Sequence, residues 1–268
     1  MSIPLFLVDA FTREPFRGNP AGVCLLPSWR PDGWLQGVAA EMNVSETAFL
    51  VSEGSRFHLR WFTPAIEVPL CGHATLAAAH VLFEAGLAPD ARRVGFTTLG
   101  GDLAAARAGD RIELDFPLVP VSEAAATDEL VAALGVRPVH VGLTAPRPGR
   151  DDTNYLCILE HEHDVRELRP DLSRLRRLPA SVIVSARGSG AYDIVSRYFA
   201  PLVGIDEDPV TGSAHCALAD YWAPRLGRTR FRAWQASARG GEIEVTVRGS
   251  RVGLAGHAVT IWSGQSRV

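Results

Sequence analysis

Two periodicities run along the chain. Short stretches such as RIELDF (Arg111–Phe116) and EIEVTV (Glu242–Val247) alternate apolar and polar residues, the period of a half-buried strand. The opening segment IPLFLVDAF reads as a first strand. Two stretches, WLQGVAAEMN and VRELRPDLSRLRRL, each predict an amphipathic helix. Two others are apolar on nearly every face. One covers His73–Ala85 and closes at Gly86; the other runs from Ser213 to about Trp222 and stops before Pro224 and Gly227. A helix without a polar face has to be buried.

The same order of signals occurs twice. RWFTP at Arg60–Pro64 recurs as RYFAP at Arg197–Pro201, an offset of 137 (197 − 60). Carried forward, that offset sets Cys71 against Asp208, each ahead of a small-residue helix start. LGGDLAAARAGDRIEL (Leu99–Leu114) matches RGGEIEVTVRGSRVGL (Arg239–Leu254), and FLVSEGS (Phe49–Ser55) resembles VIVSARGS (Val182–Ser189). Such blocks predict an α+β protein of two pseudo-symmetric lobes, residues 1–118 and 119–268, each a curved, mostly antiparallel sheet around a central helix. The stretch PLVPVSEAAATDE near 117–129 reads as the connection, and the last strand, near 257–264, is placed to pack back on the first lobe.

Composition narrows the chemistry. With 47% hydrophobic and 21% charged residues and a net charge of −3, the chain reads as a folded protein without a basic footprint for nucleic acid. No apolar stretch reaches the roughly 18 residues of a membrane span, and the first residues lack a signal-type pattern. The four cysteines show no CxxC spacing, so the expected setting is a reducing cytoplasm. All 27 basic residues are arginine. That excludes a lysine Schiff base with pyridoxal phosphate and a Walker A loop.

The candidate chemistry gathers at the starts of the two buried helices. Lobes related by a pseudo-twofold axis would aim both N-termini into one cleft. There Gly72 and His73, and Gly212 and Ser213, would offer free N–H groups to a small carboxylate. Cys71 and Asp208 would face each other as proton-handling groups. Glu46 in SETAF has no acidic counterpart, since repeat matching puts Pro179 opposite it. A carboxylate bordering an apolar strand is expected to be partly desolvated and raised toward a general base's range. His73 at a helix N-terminus is expected to stay neutral and hydrogen-bond a ligand or relay a proton.

The segments VDAFTREPFRGNPAGV, SETAF, CGHATLAAAH, EDPVTGSAHCALADYW and QASARGG resemble, in order and along almost the whole chain, those of the PhzF family of phenazine-biosynthesis isomerases. That resemblance implies a diaminopimelate epimerase-like fold and a cofactor-free isomerase acting by intramolecular proton transfer on a small carboxylic acid, of the trans-2,3-dihydro-3-hydroxyanthranilate isomerase type. It makes Glu46 the proton shuttle, with His73 and Asp208 as catalytic partners. Ser45, Cys71, Gly72, Gly212 and Ser213 become substrate-binding, and a homodimer becomes the default assembly. Gln235, Ser237, Arg239, Gly240 and Gly241 retain the family's QxSxRGG block. Cys71 matches the epimerase's first cysteine, and Asp208 is taken as the replacement of the second. Pro69 departs from the acidic or polar residue common at its position, which bears on the substrate.

Other readings remain at this stage. Cys71 and Asp208 could act as opposed bases of an epimerase, or the chain could bind a ligand without turning it over. Hydrolysis by Ser213 with His215 or His73 lacks a GxSxG elbow. No metal is expected, because neighbouring His215 and Cys216 on a helix point in different directions and cannot join Cys71 and His73. HEHD (His161–Asp164) reads as a solvated loop.

Overall fold

A computed structural model describes residues 2–146 and 153–267. The chain divides into two compact units, Met1–Asp115 with Leu254–Val268, and Phe116–Gly253.

The first unit opens with β1 (Ile3–Ala10), β2 (Asn19–Leu26), α1 (Asp32–Met42), β3 (Glu46–Glu53) and β4 (Arg56–Phe62). β5 (Glu67–Val68), α2 (Gly72–Glu84), β6 (Arg93–Thr98), β7 (Gly101–Ala108) and β8 (Arg111–Pro117) follow. β1 pairs antiparallel with β2, β3 with β4, β6 with β7, and β7 with β8. Two joints, β2 with β3 and β4 with β6, are parallel. Each parallel joint needs a crossover, and α1 and α2 supply them.

In the second unit the pairing order repeats. It contains β9 (Val121–Glu123), α3 (Asp128–Leu134), β10 (His140–Thr144), β11 (Asn154–Ile158), α4 (Glu162–Glu167) and α5 (Leu172–Leu175). Next come β12 (Ser181–Arg187), β13 (Ile194–Ala200), β14 (Ile205–Asp208), α6 (Gly212–Leu226), β15 (Arg230–Gln235), β16 (Gly241–Arg248) and β17 (Arg251–Gly256). β10–β11, β12–β13 and β15–β16 are antiparallel, and β11–β12 and β13–β15 parallel. The final strand, β18 (Ala258–Ser266), returns to the first unit beside β1, as β9 lies beside β10.

Helix α2 sits where its composition requires. Of its 13 residues, 10 are buried, and it packs on β1, β2, β3, β7 and β18. Its alanines favour the helix and let strands approach closely. α6 buries Ala214, His215, Cys216, Ala217, Leu218, Ala219, Tyr221 and Trp222 and packs on β9 and β16.

Four local expectations change. α6 runs through Pro224 to Leu226. The proline deprives only the Asp220 carbonyl of a helical donor. Beyond it, Gly227 in the left-handed region (φ 66°) and the Arg228 N–H to the Ala223 carbonyl close the helix. The stretch 165–178 is not one helix but parts of α4 and α5. Pro170 separates them, since residues ahead of a proline are pushed out of the α region. HEHD is not a loop: His161 caps α4, and Asp164 completes a capping box. Within the presumed connection, Val121–Glu123 is a strand, β9.

The repeated RWF and RYF have a physical reason. Arg60 grips Glu67 of β5 through Nε and Nη2, both 2.7 Å from a carboxylate oxygen, and its guanidinium lies 5.1 Å from the Phe62 ring. Arg197 grips Glu207 of β14 at 2.7 and 2.8 Å and lies 4.8 Å from the Phe199 ring. Each bidentate pair ties the short strand that delivers the chain to a central helix. The arginines stand 137 apart (197 − 60), the glutamates 140 (207 − 67). Three extra residues between Pro201 and Glu207 therefore shift the frame.

By that frame Cys71, the N-cap of α2, corresponds to Thr211, the N-cap of α6 (211 − 71 = 140). The sequence pairing of Cys71 with Asp208 is corrected: strand register sets Val68 opposite Trp61 and Asp208 opposite Tyr198. The counterpart of Glu46 changes too. Phe49 lies opposite Arg60 and Val184 opposite Arg197, so the first residue of β3, Glu46, corresponds to the first of β12, Ser181, not Pro179.

Arg197 also donates to the Leu168 and Val165 carbonyls, and its side chain is 9% exposed. Arg197→Ala is expected to cost roughly 2–4 kcal/mol, by leaving a carboxylate and two carbonyls unanswered. The exposed pair Arg137–Asp128 is the comparison, where Arg137→Ala should cost under about 1 kcal/mol. Urea midpoints at constant m-value measure both.

Candidate active site

The parallel joint of β2 and β3 sets the site in the first unit. It aligns Ala21 with Glu46, so Asn19 and Glu46 lie at the same end of adjoining strands. α1 ends at Asn43 in the left-handed region, which turns the chain through Ser45 into Glu46. Over this end comes the start of α2. Cys71 is its extended N-cap (φ −146°, ψ 117°), and the Thr75 hydroxyl and N–H both bond back to the Cys71 carbonyl.

These elements place three polar side chains around one imidazole, with Ser45 behind one of them. The Asn19 amide donates to His73 Nδ1 at 3.2 Å, and the Ser45 hydroxyl donates to Asn19 Oδ1 at 3.4 Å, which fixes the amide's orientation. Nδ1 is therefore an acceptor and the ring proton belongs on Nε2. Cys71 Sγ lies 3.6 Å from Nδ1. Nε2 lies 3.3 Å from Glu46 Oε2, yet among the described residues no acceptor is aligned with its N–H. The imidazole side chain is 5% exposed and the Glu46 side chain 14%. Burial pushes the His73 pKa down to about 3, so the ring is neutral at ordinary pH.

An unaligned buried N–H beside a carboxylate, at the N-terminus of a buried helix, is a donor available to a ligand. The first N–H groups of α2 have no intrahelical acceptors and add further donors at the same helix end. The arrangement can hold an anionic group on the helix end and present Glu46 to it as an acid or base.

In the second unit, Asp208, Gly212 and Ser213 lie on β14 and the first turn of α6. Asp208 is 8% exposed and its Oδ2 accepts from the Thr211 hydroxyl. Gln235 closes this knot: its Oε1 accepts from the Thr211 N–H at 2.8 Å, and its Nε2 donates to the Asp208 carbonyl at 2.8 Å and to Thr211 Oγ1 at 3.1 Å. The Ser237 hydroxyl donates to the Pro209 carbonyl and accepts from the Gly240 N–H. Gly240 has φ 66°, and a Cβ there would stand 2.4 Å from the Trp234 ring, so this turn needs glycine. His215 and Cys216 turn back along their own helix, to the Thr211 and Gly212 carbonyls.

Of the residues singled out in the sequence, Ser45, Glu46, Cys71, Gly72 and His73 come together in the first unit. Asn19 and Thr211 were not singled out. Asn19 precedes a proline and reads locally as a turn; only its burial (0% exposed) reveals it. Thr211 was hidden by the three-residue shift in frame.

A family model described as "Phenazine biosynthesis-like protein" (PhzC-PhzF) matches residues 8–264. The chain belongs to the PhzF family. Among its relatives, an uncharacterized isomerase of Pseudomonas aeruginosa is 51% identical over 100% of both chains. A crystal structure of a PhzF-family phenazine biosynthesis protein of Enterococcus faecalis shares 41% identity over 100% of both chains, with a TM-score of 0.93. A probable proline racemase of Agrobacterium radiobacter superposes with a TM-score of 0.68 at 12% identity, covering 99% of this chain and 93% of its own. That likeness shows the fold alone, and the PhzF-family fold here is α+β and epimerase-like.

Buried neutral histidines make stability sensitive to acid. His215 is likewise pushed down by burial, to about 4. The unfolded chain takes up a proton near the ordinary 6.5 while the native state does not. Stability is thus complete above about 6.5 and is lost as the pH falls from there toward 4 and 3. At pH 5 each histidine is expected to have withdrawn on the order of 2 kcal/mol relative to neutral pH. His215→Gln should shrink the pH 7-to-5 drop in the denaturation midpoint by its share; an unchanged drop would rule the histidine out as a cause.

Proposed function

We propose that this protein is a cofactor-independent isomerase that moves a proton between carbons of a small carboxylic acid, as the isomerase names of its relatives suggest. The observation that carries the reading is the largely buried Glu46 carboxylate 3.3 Å from a neutral imidazole at the start of α2. In this reading the substrate's carboxylate is held by the N–H groups opening α2. Glu46 removes a proton from one carbon; the C–H electron pair passes into the adjoining unsaturated system, and Glu46 returns the proton at another carbon. Nε2–H of His73 supplies a neutral hydrogen bond beside the reacting carbons. A neutral ring suits this role, since an imidazolium would hold Glu46 in an ion pair and weaken it as a base.

Asp208 and Ser213 are proposed to serve the same reaction, with Thr211 and Gln235 positioning Asp208. The substrate type proposed is trans-2,3-dihydro-3-hydroxyanthranilate, and the assembly a homodimer.

The epimerase reading has less to draw on. The N-cap counterpart of Cys71 is a threonine, which does not titrate in the range of a catalytic base. Two variants separate the readings. With trans-2,3-dihydro-3-hydroxyanthranilate in deuterated water, Glu46→Gln is expected to lower kcat by at least about 100-fold with substrate binding retained, the loss typical of a removed acid–base group. Cys71→Ala is expected to keep most of the activity. Undiminished turnover in Glu46→Gln would remove Glu46 from the mechanism. A dead Cys71→Ala with deuterium entering at a stereocentre would favour the epimerase.

A further inference from the structure

The expectation of no metal concerned Cys71, His73, His215 and Cys216. The fold sends the last two back onto their own helix and brings a different third group to Cys71 and His73. One ligand atom each from Glu46, Cys71 and His73 lies within 4.8 Å of the other two. We propose that this trio binds a thiophilic divalent cation of the zinc type, which occupies the Glu46 carboxylate and holds the enzyme inactive while bound. This rests on the reading of Glu46 as the proton carrier; the binding itself does not.

The chemistry of the donors selects the cation. A thiolate, an imidazole nitrogen and a carboxylate oxygen are the three ligand types of protein zinc sites, whereas magnesium and calcium take oxygen alone. The donors come from two rigid elements, the head of β3 and the first turn of α2, so little ordering is needed on binding. Cys71 and His73 are two residues apart across the cap, and Cys71 Sγ already lies 3.6 Å from the ring. That separation approaches the ligand-to-ligand edge of a tetrahedron built with zinc–sulfur and zinc–nitrogen bonds of about 2.3 and 2.0 Å.

Seating the ion requires deprotonation of sulfur and withdrawal of the Asn19 amide from His73 Nδ1. The Cys71 S–H bond breaks, its electron pair forms the sulfur–metal bond, and the proton leaves to solvent. The neutral imidazole contributes the lone pair of Nδ1, exchanging the Asn19 hydrogen bond for the metal and keeping its proton on Nε2, and Glu46 contributes an oxygen. Three protein ligands leave a fourth position for water or for the carboxylate of a bound acid. While the metal is present, the Glu46 oxygen is committed to it and cannot accept a proton from carbon.

The test uses the chelator-stripped protein without substrate. Calorimetric titration with zinc chloride is expected to show one strong site per chain. Titration with cobalt(II) chloride should raise the intense near-ultraviolet sulfur-to-cobalt charge-transfer band. Cys71→Ser should abolish that band and weaken zinc at least about 10-fold, a loss on the scale of disturbed metal sites. The double variant His161→Ala/His163→Ala, which removes an exposed pair of stacked rings, should leave both signals intact. Absence of the cobalt–sulfur band in the wild type would overturn the proposal, and needs no variant to fold. So would unchanged zinc affinity in Cys71→Ser, or loss of binding in the double variant. Because no turnover is measured, absence of the metal would leave the isomerase reading intact, and an active Glu46→Gln would leave the binding site intact.

Discussion

A helix with no polar face can be stable in water only if something covers it on every side. That constraint acts in both units. α2 is enclosed by strands of the first sheet, its alanines let those strands close in, and beyond its first turns its polar side chains are His80 and Glu84, which meet Thr260 of β18. Chemistry is confined to the one part of such a helix that burial cannot make apolar, its first turn, where backbone N–H groups lack partners. The site residues of the first unit cluster there for that reason. The clamps Arg60–Glu67 and Arg197–Glu207 hold the short strands that lead into each first turn.

The two copies then diverge on a common frame. In the first, the cap is Cys71 and the second helical residue His73; in the second, these are Thr211 and Ser213. Glu46 heads β3 where Ser181 heads β12. A thiol, an imidazole and a strand-head carboxylate thus collect beside the helix start on one side of the duplication, and the carboxylate of Asp208 on the other. In the second copy a neutral amide, Gln235, organises the same place through three hydrogen bonds, and Asp208 hangs from that knot.

Much of this could be read from the sequence, and the failures have specific causes. The α2 segment and its end at Gly86 were legible because an unbroken small and apolar run has few other solutions. The strands around RIELDF and EIEVTV were legible from strict alternation. Over 165–178 the charge and leucine spacing has the period of one long helix, but Pro170 decides the local geometry and divides it. Pro224 does not end α6, since a proline in the last turn forfeits one hydrogen bond rather than the helix. The repeat offset, correct at the arginines, was carried across a three-residue insertion that only strand register could reveal. Grouping Glu46 with Cys71 and His73 did follow from motifs. Asn19, which sets the tautomer of His73, could not be found that way, because its role depends on a parallel joint between β2 and β3 that alternation does not specify.

The edge strands are distributed unequally along the chain. The second unit receives its edge strand, β9, just before the β10 it pairs with, whereas the first unit must wait until the whole second unit has followed for β18 to cover β1. During vectorial synthesis the first half to leave the ribosome is therefore the last able to complete its sheet. Until then β1 carries an open row of backbone donors and acceptors, the kind of edge that recruits foreign strands. The gene order thus places the period of greatest exposure to misassembly on the half that holds Glu46, Cys71 and His73.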